Sequence, residues 1–146
     1  MTLGFDHMTI AVPDVEEAER FLAVLGFKHE KSVVAQGETI ADYMGIPGWV
    51  SDHVTLVLEG VSPRQEIQLL SFHHPKLSFD DGAADLARPG FNHVCFKTDD
   101  LDGTLERFAA AGYKPRNAIM EFHDRRLVFF DGPAGTVFEL AEWTTS

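Results

Sequence analysis

The chain has 146 residues, of which 12 are basic and 23 acidic, so its formal net charge is −11. This length fits one compact domain, and a hydrophobic fraction of 45% argues against disorder. The charge argues against nucleic acid and anionic membranes as binding partners, because both are negatively charged and the chain has no basic cluster to attract them. The lone Cys95 excludes an intrachain disulfide. No apolar run has the length of a membrane span or the pattern of a signal peptide, and we therefore expect a cytoplasmic protein.

A sequence segment near the start of the chain recurs, in similar form, in the second half. "LGFDHMTIAVPDV" at the N-terminus resembles "PGFNHVCFKTDDL", and residues 4–28 align without a gap on 90–114 at an offset of 86. Seven of the 25 aligned positions are identical, including His7 with His93. The sequence therefore predicts two related modules.

Each repeat begins with a short strand, followed by a helix and a second strand. Residues 5–12 and 91–98 are apolar and β-branched, as is typical of strands. The helices that follow have apolar residues at three- and four-residue spacing. The helix boundaries are marked by predicted N-caps and by glycines after the last turn: Asp14, Asp100, Gly26 and Gly112. The second strands are predicted to start at Phe27 and Tyr113.

The rest of each module is predicted as two further strands. They span about 52–59 and 65–72 in the first half and about 125–131 and 136–142 in the second. The first module thus covers 1–72, a turn-rich linker 73–90, and the second module 91–146, within one compact domain. We predict an α+β fold of two tandem βαβββ modules, whose mixed sheets curl into a metal-binding cup.

The first module carries an insertion. "IQLL" in the first half matches "FELA" in the second at an offset of 71, so the first half has about fifteen extra residues, at about 37–52. This segment contains Tyr43 and Trp49. We interpret it as a short lid over a pocket.

Strand alternation predicts the candidate site. In each of four strands the apolar residues occupy one face, and a residue able to ligate a metal occupies the other: His7, Gln68, His93 and Glu139. If the sheet curls, these four converge. This nitrogen and oxygen donor set suits Ni²⁺, Co²⁺, Fe²⁺, Mn²⁺ or Zn²⁺ with positions open for substrate.

Neighbouring residues leave alternatives open. Glu66 shares the face of Gln68, and we consider it a substitute ligand, a base beside the metal or a solvated charge. His53 lies on the polar side of a strand that could face the cup. Cys95, two residues beyond His93, is interpreted as lining the pocket rather than binding metal.

The two βαβββ modules, the "DHMTIAVPD" and "NHVCFKTDD" strands and "FFDGPAGTVFEL" resemble the vicinal oxygen chelate superfamily. This superfamily includes glyoxalase I, methylmalonyl-CoA epimerase, extradiol dioxygenases, fosfomycin-resistance enzymes and bleomycin-binding proteins. The resemblance covers nearly the whole chain. It implies that the metal ligands are His7, Gln68, His93 and Glu139. The cup that holds them forms either within one chain or across a dimer. We expect the protein to be a homodimer.

The order of ligand types looks most like methylmalonyl-CoA epimerase, because bacterial glyoxalase I usually has Glu where Gln68 stands. The epimerase also has a glutamate base in a stretch that "VVAQG" at 33–37 resembles. Here Ala35 occupies the position of that base, and Glu38 follows three positions later. The resemblance therefore specifies the fold more closely than the reaction.

Three functions follow from the resemblance and the ligands. The first is a glyoxalase-like or epimerase-like enzyme, in which a divalent metal stabilises the enediolate of a small carbonyl substrate. Glu139, Glu66 or Glu38 would then move the proton. The second is an Fe(II)-dependent ring-cleaving dioxygenase using His7, His93 and Glu139. The third is a metal-free protein that sequesters a small molecule.

Overall fold

The computed structural model describes residues 1–79 and 82–145. Asp80 and Asp81, which belong to the predicted linker, and Ser146 lie outside the described residues. The chain divides into a first unit, Met1–Phe79, and a second unit, Asp80–Ser146.

The first unit forms one mixed sheet with two helices. Its elements are β1 (His7–Ala11), α1 (Val15–Val24), β2 (Phe27–Gln36), α2 (Glu38–Met44), β3 (Val50–Leu58) and β4 (Glu66–His74). The strand order is β1-β4-β3-β2, with β1 parallel to β4 and the other pairs antiparallel. The first and last strands of the unit are therefore direct neighbours.

The second unit repeats this topology without the short helix. Its elements are β5 (Val94–Thr98), α3 (Leu101–Ala110), β6 (Met120–Phe122), β7 (Arg125–Asp131) and β8 (Val137–Trp143). The strand order is β5-β8-β7-β6, with β5 parallel to β8. This confirms the predicted α+β fold of two βαβββ modules. None of the helices described is long and apolar enough to cross a membrane.

Both long helices begin and end at the predicted residues. The Asp14 carboxylate accepts a hydrogen bond from the Glu17 amide at 3.2 Å, and Asp100 accepts one from Gly103 at 2.9 Å. Gly26 and Gly112 follow the C-caps at φ values of 100° and 90°, which favour glycine. At Gly103 a Cβ would collide with the capping carboxylate, so glycine there lets the cap close.

The helices cover the apolar faces of the sheets. Each buries one stripe of side chains, namely Ala18, Phe21 and Leu22 on α1 and Leu101, Thr104 and Phe108 on α3. In the second unit the Phe108 ring stacks on Phe130, with centroids 4.3 Å apart. Ile67, Leu69, Phe138 and Leu140 are buried on the facing strands, as strand alternation predicts. This packing leaves the opposite face of each sheet to the polar residues.

The predicted second strand of the second module is in part wrong. No strand begins at Tyr113, whose ring instead meets Phe108 edge-on at 6.1 Å; β6 starts only at Met120. Between them, the Arg116 amide donates to the Phe129 carbonyl, while the Asn117 side chain accepts from the Phe129 amide. A side chain thus replaces part of the backbone pairing. In the first unit the corresponding strand, β2, runs from Phe27 to Gln36, with one shift of register between His29 and Lys31.

The insertion folds into α2 and the turn before β3. Gly45 ends the helix in the left-handed conformation, and the chain returns through Pro47 and Gly48 to Trp49. Trp49 is only 2% exposed and packs with Ala41 and Leu70. The insertion is therefore anchored by its own small core.

We expect Asp100→Ala to lower the free energy of unfolding by about 1 kcal/mol, because it removes the acceptor for the first turn of α3. Urea denaturation followed by circular dichroism measures the change. Asp100→Asn keeps the acceptor and should remain close to the wild type, and Asp99→Ala controls for the lost charge. An equal loss in Asp99→Ala and Asp100→Ala would contradict the capping role.

Candidate metal-binding site

In the first unit, His7 lies directly beside Glu66. The parallel pairing of β1 with β4 sets His7 opposite Glu66 and Thr9 opposite Gln68. One ligand atom from each of Asp6, His7 and Glu66 lies within 4.8 Å of the others. The structure thus brings His7 together with the acidic neighbour of Gln68.

Gln68 itself is engaged in hydrogen bonds. Its Nε2 donates to Glu66 Oε2 at 2.7 Å, and its Oε1 accepts from His53 Nε2 at 3.0 Å. Thr9 Oγ1 is a weaker donor to the same Oε1, at 3.4 Å. His53 therefore shares the polar face of this sheet with Gln68. A carbonyl oxygen has two lone pairs, so Gln68 would have to share or exchange a donor in order to ligate a metal.

Arg64 holds Glu66 from the other side. The guanidinium donates to Glu66 Oε1 at 2.8 Å and to both carboxylate oxygens of Glu30 at 2.8 Å. The hydrogen bond from Arg64 lowers the pKa of Glu66 below its ordinary value, and the hydrogen bond from Gln68 lowers it to a smaller extent. Glu66 is therefore an ionised carboxylate near neutral pH.

In the second unit, His93 approaches Glu139. The pairing of β5 with β8 sets Cys95 opposite Glu139, so Glu139 occupies the position that Gln68 has in the first unit. His93 Nε2 lies 3.6 Å from Glu139 Oε1, too far for a strong hydrogen bond. A divalent ion about 2.1 Å from each atom fits between them. The nitrogen and carboxylate donors suit such an ion.

Both histidines are oriented by the residue that precedes them. His7 Nδ1 lies 2.5 Å from Asp6 Oδ1, and His93 Nδ1 lies 2.6 Å from Asn92 Oδ1. Asn92 Nδ2 donates to the Leu86 carbonyl, so its Oδ1 is the acceptor and His93 Nδ1 must donate. Neutral His93 then has its lone pair on Nε2. The same assignment follows for His7, whose Nδ1 faces the carboxylate oxygen Asp6 Oδ1.

Sequence reasoning did not find this orienting role. The pairing of Asp6 with Asn92 in the repeat was visible, and both side chains offer an acceptor oxygen directly before the histidine. Carboxylates and carbonyls that accept from the second nitrogen are typical partners of metal-binding histidines. An acceptor side chain directly before each histidine, Asp6 and Asn92, was therefore the sequence signal that could have indicated this orienting role.

Cys95 lies on the polar face of β5 near Glu139. Desolvation and, second, the Glu139 carboxylate raise the pKa of the thiol to about 12. With no metal beside it the thiol is therefore neutral near pH 7, and its interpretation as a residue lining the pocket stays a prediction.

Glu38 lies at a different place in the first unit. It begins α2, beyond the end of β2, where Gln36 pairs with Val50 and Val50 pairs with His74. Along β4, His74 is about 26 Å from Glu66 at the ordinary strand rise. Within this unit, Glu38 is therefore not brought beside His7 and Glu66, and its role as a base stays a prediction.

We expect NMR of ¹⁵N-labelled imidazoles near pH 8 to show the Nδ1–H tautomer for both His7 and His93. In Asn92→Ala, His93 should lose its preference for this tautomer because its acceptor is gone, while His7 should keep it. Asn92→Asp, which keeps an acceptor oxygen beside His93 Nδ1, is the matched control and should retain the Nδ1–H tautomer. A predominant Nε2–H tautomer of His93 in the wild type would refute the assignment.

Comparisons with known proteins bear on the fold and the family. The family model described as the glyoxalase/bleomycin resistance protein/dioxygenase superfamily matches residues 6–130. Among curated proteins none matches. A glyoxalase family protein from Bacillus cereus has a similar structure, with a TM-score of 0.87, 22% identity, and coverage of 98% of this chain and 95% of that one.

Two further solved structures share the fold. A glyoxalase/bleomycin resistance protein/dioxygenase domain from Frankia sp. EAN1pec has a TM-score of 0.71 at 21% identity, covering 100% of this chain and 96% of its own. The fosfomycin resistance protein FosX from Listeria monocytogenes, solved with Mn(II) and sulfate, has a TM-score of 0.62 at 18% identity, with coverage of 99% and 96%. With the family match over most of its length, the chain belongs to the glyoxalase/bleomycin resistance protein/dioxygenase superfamily, within the vicinal oxygen chelate fold.

Proposed function

We propose that this protein is a metal-dependent enzyme of the glyoxalase or epimerase type, acting on a small carbonyl substrate. The observation that carries the proposal is the 3.6 Å approach of His93 Nε2 to Glu139 Oε1, with Asn92 holding the imidazole in the tautomer that can ligate. The FosX relative solved with Mn(II) supports a divalent ion, and Mn²⁺ is one of the five candidates, with Ni²⁺, Co²⁺, Zn²⁺ and Fe²⁺.

The donors proposed for the metal are those of the sequence prediction: His7, Gln68, His93 and Glu139. When bound, such an ion supplies Lewis-acid stabilisation of negative charge developing on a substrate oxygen. The protein's own contribution is to fix the imidazoles through Asp6 and Asn92 and to keep the Glu66 carboxylate ionised through Arg64. Glu66 is the alternative ligand to Gln68, because it is the residue paired directly with His7.

A carboxylate beside the donors would move the proton of the substrate. Glu66 fits this role by its place, since it pairs directly with His7 and its hydrogen bond with Gln68 fixes its position. The Arg64 contact lowers the pKa of Glu66 and so makes it a weaker base, which a substrate acidified by the metal would offset. Glu139 is the second candidate and Glu38 the third. A positioned base of this kind contributes about 10²- to 10⁴-fold to the rate.

One observation favours a second function, the Fe(II)-dependent ring-cleaving dioxygenase. The Gln68 oxygen already accepts from His53 and Thr9, which would leave two histidines and the Glu139 carboxylate as ligands. Two histidines and one carboxylate are the usual ligand set of non-haem iron oxygenases.

We expect the purified protein to bind a divalent ion, and His93→Ala to weaken the binding by at least about tenfold because a ligand is lost. Elemental analysis and calorimetric titration with Mn²⁺, Ni²⁺, Co²⁺, Zn²⁺ and Fe²⁺ measure the affinity and the stoichiometry. Glu139→Gln and Glu66→Gln should also weaken binding if these carboxylates are ligands.

Two matched variants control the titration. His29→Ala removes a histidine bonded to Glu19, and Glu121→Gln removes an exposed carboxylate of β6. Both should bind metal as the wild type does. A wild type without measurable affinity for any of the ions, or a His93→Ala variant with full affinity, contradicts the proposal.

We expect turnover in an assay panel of thiol–methylglyoxal adducts, acyl-CoA esters, catechols and fosfomycin to disappear on chelation and return with metal. If Glu66 is the base, Glu66→Gln should lower kcat by about 100-fold or more while KM changes little. Oxygen uptake with catechols that depends on Fe²⁺ would favour the dioxygenase instead. Tight ligand binding after complete chelation, without turnover, would favour a sequestering protein.

A further inference from the structure

A hydroxyl, an imidazole and a carboxylate lie in line in the first unit, between β2 and α1. Ser32 Oγ is 3.1 Å from His29 Nε2, and His29 Nδ1 is 2.9 Å from Glu19 Oε1. Because His29 Nδ1 faces a carboxylate oxygen and donates to it, the lone pair of the neutral ring lies on Nε2. That lone pair accepts from the Ser32 hydroxyl. A nucleophile, a base and a group that orients the base are the parts of a serine hydrolase triad.

A β-bulge in β2 brings the serine and the histidine to one face of the strand. Residues three apart on a regular strand point to opposite faces. Here the register with β3 shifts directly after His29, which pairs with Leu56, so that Glu30 is an extra residue. Ser32 pairs with Val54, two residues from Leu56 and therefore on the same face. Bulges often re-aim side chains in this way next to active sites.

The bulge and the orienting carboxylate are both held by other parts of the unit. Glu30 accepts hydrogen bonds from two nitrogens of Arg64, each at 2.8 Å. Glu19 belongs to α1, which packs on the sheet through its buried stripe. The Glu19 and His29 side chains are 31% and 46% exposed, whereas Ser32 is exposed. The imidazole is therefore partly shielded, while the hydroxyl is open to a substrate.

Two features of the strand suit an ester as substrate. β2 is an outer strand of the first unit's sheet, so every second backbone N–H around Ser32 points away from β3. Such N–H groups can donate to the negative oxygen that develops when a hydroxyl attacks a carbonyl. Val34, two residues beyond Ser32 and on the same face, is 53% exposed and offers an apolar contact for an acyl chain.

We propose that Ser32, His29 and Glu19 form a second active site, which hydrolyses small esters of apolar acids. The Ser32 oxygen bonds to the carbonyl carbon while its proton passes to His29 Nε2. The bond from that carbon to the alcohol oxygen breaks, and His29 gives the proton to the leaving alcohol. Water then bonds to the same carbon and loses a proton to His29, and the Ser32 oxygen leaves and takes that proton. Glu19 is a positioning residue that orients the ring.

This site is separate from the candidate metal ligands of the first unit. Ser32 pairs with Val54, whereas Gln68 pairs with the next residue of β3, Thr55. Adjacent residues of a strand point to opposite faces, so the serine and the glutamine lie on opposite sides of the sheet. The proposed hydrolysis uses no metal, and the two proposals can therefore fail independently.

A fluorophosphonate probe tests the nucleophile directly, because a serine oxygen displaces fluoride from its phosphorus. We expect mass spectrometry to find a single adduct, on Ser32. Ser32→Ala should remove it, and His29→Ala should slow labelling by about 100-fold or more because the base is lost. Ser62→Ala, at an exposed serine, and His73→Ala, at another histidine bonded to a carboxylate, are matched controls and should label as the wild type does.

Hydrolysis of 4-nitrophenyl butyrate measures the complete cycle, with circular dichroism to confirm that each variant is folded. Ser32→Ala and His29→Ala should lose turnover, while the Ser62→Ala and His73→Ala controls keep it. In Glu19→Ala we expect a lower kcat with little change in KM, and ¹⁵N NMR should show that His29 has lost its preference for the Nδ1–H tautomer. Chelation should leave the hydrolysis unchanged.

Four outcomes would overturn the proposal. They are no adduct on Ser32, equal labelling of His29→Ala and the wild type, unchanged kcat in Glu19→Ala, and loss of the hydrolysis on chelation. Metal titration of Ser32→Ala, expected to match the wild type, keeps this result separate from the proposed function.

Discussion

The parallel pairing between the first and last strand of each unit is the constraint on which the candidate site depends. It joins segments far apart in the chain, β1 with β4 and β5 with β8, and fixes their register residue by residue. Because side chains alternate along a strand, this register decides which donors share a face. A slip by one residue would turn His7 or Glu139 toward the helix. The buried residues of α1 and α3 oppose such a slip, because they pack against the apolar face of each sheet and a slip would expose that face.

The two units use this constraint differently. In the second, His93 and Glu139 are free of a strong mutual hydrogen bond and present an open pair of donors. In the first, a continuous set of hydrogen bonds runs from His53 through Gln68 to Glu66 and on to Arg64. The two units thus have candidate metal ligands at equivalent positions, but the hydrogen bonds that these ligands make differ between the units.

Sequence alone predicted the parts that depend on local pattern. The repeat, the caps at Asp14 and Asp100, and the alternation that puts His7 and Gln68 on the polar face all follow from short-range rules. The break at Tyr113 did not, because the Asn117 side chain that replaces backbone pairing acts on Phe129, twelve residues away. Such contacts carry no periodic signal.

The candidate site stays a prediction from residue type and strand alternation, to which the structure adds the register. Which side chains face each other depended on register: His7 opposite Glu66, and Thr9 opposite Gln68. The burial of the Trp49 indole was beyond sequence reasoning, since it results from how the insertion packs on Phe72 and Leu70. An insertion has no counterpart in the repeat from which its geometry could be inferred.

The hydrogen bond between Gln68 and Glu66 has a consequence for how this site can change during evolution. A glutamate at position 68 would set a second carboxylate where the amide now lies, 2.7 Å from Glu66 Oε2, and like charges at that distance repel. Gln68 and Glu66 must therefore change together, or a bound cation must arrive with the new charge. In the first unit, Glu66 therefore favours an amide at position 68. In the second unit the residue beside Glu139 on the same face is Val137, so a carboxylate is tolerated there without such compensation.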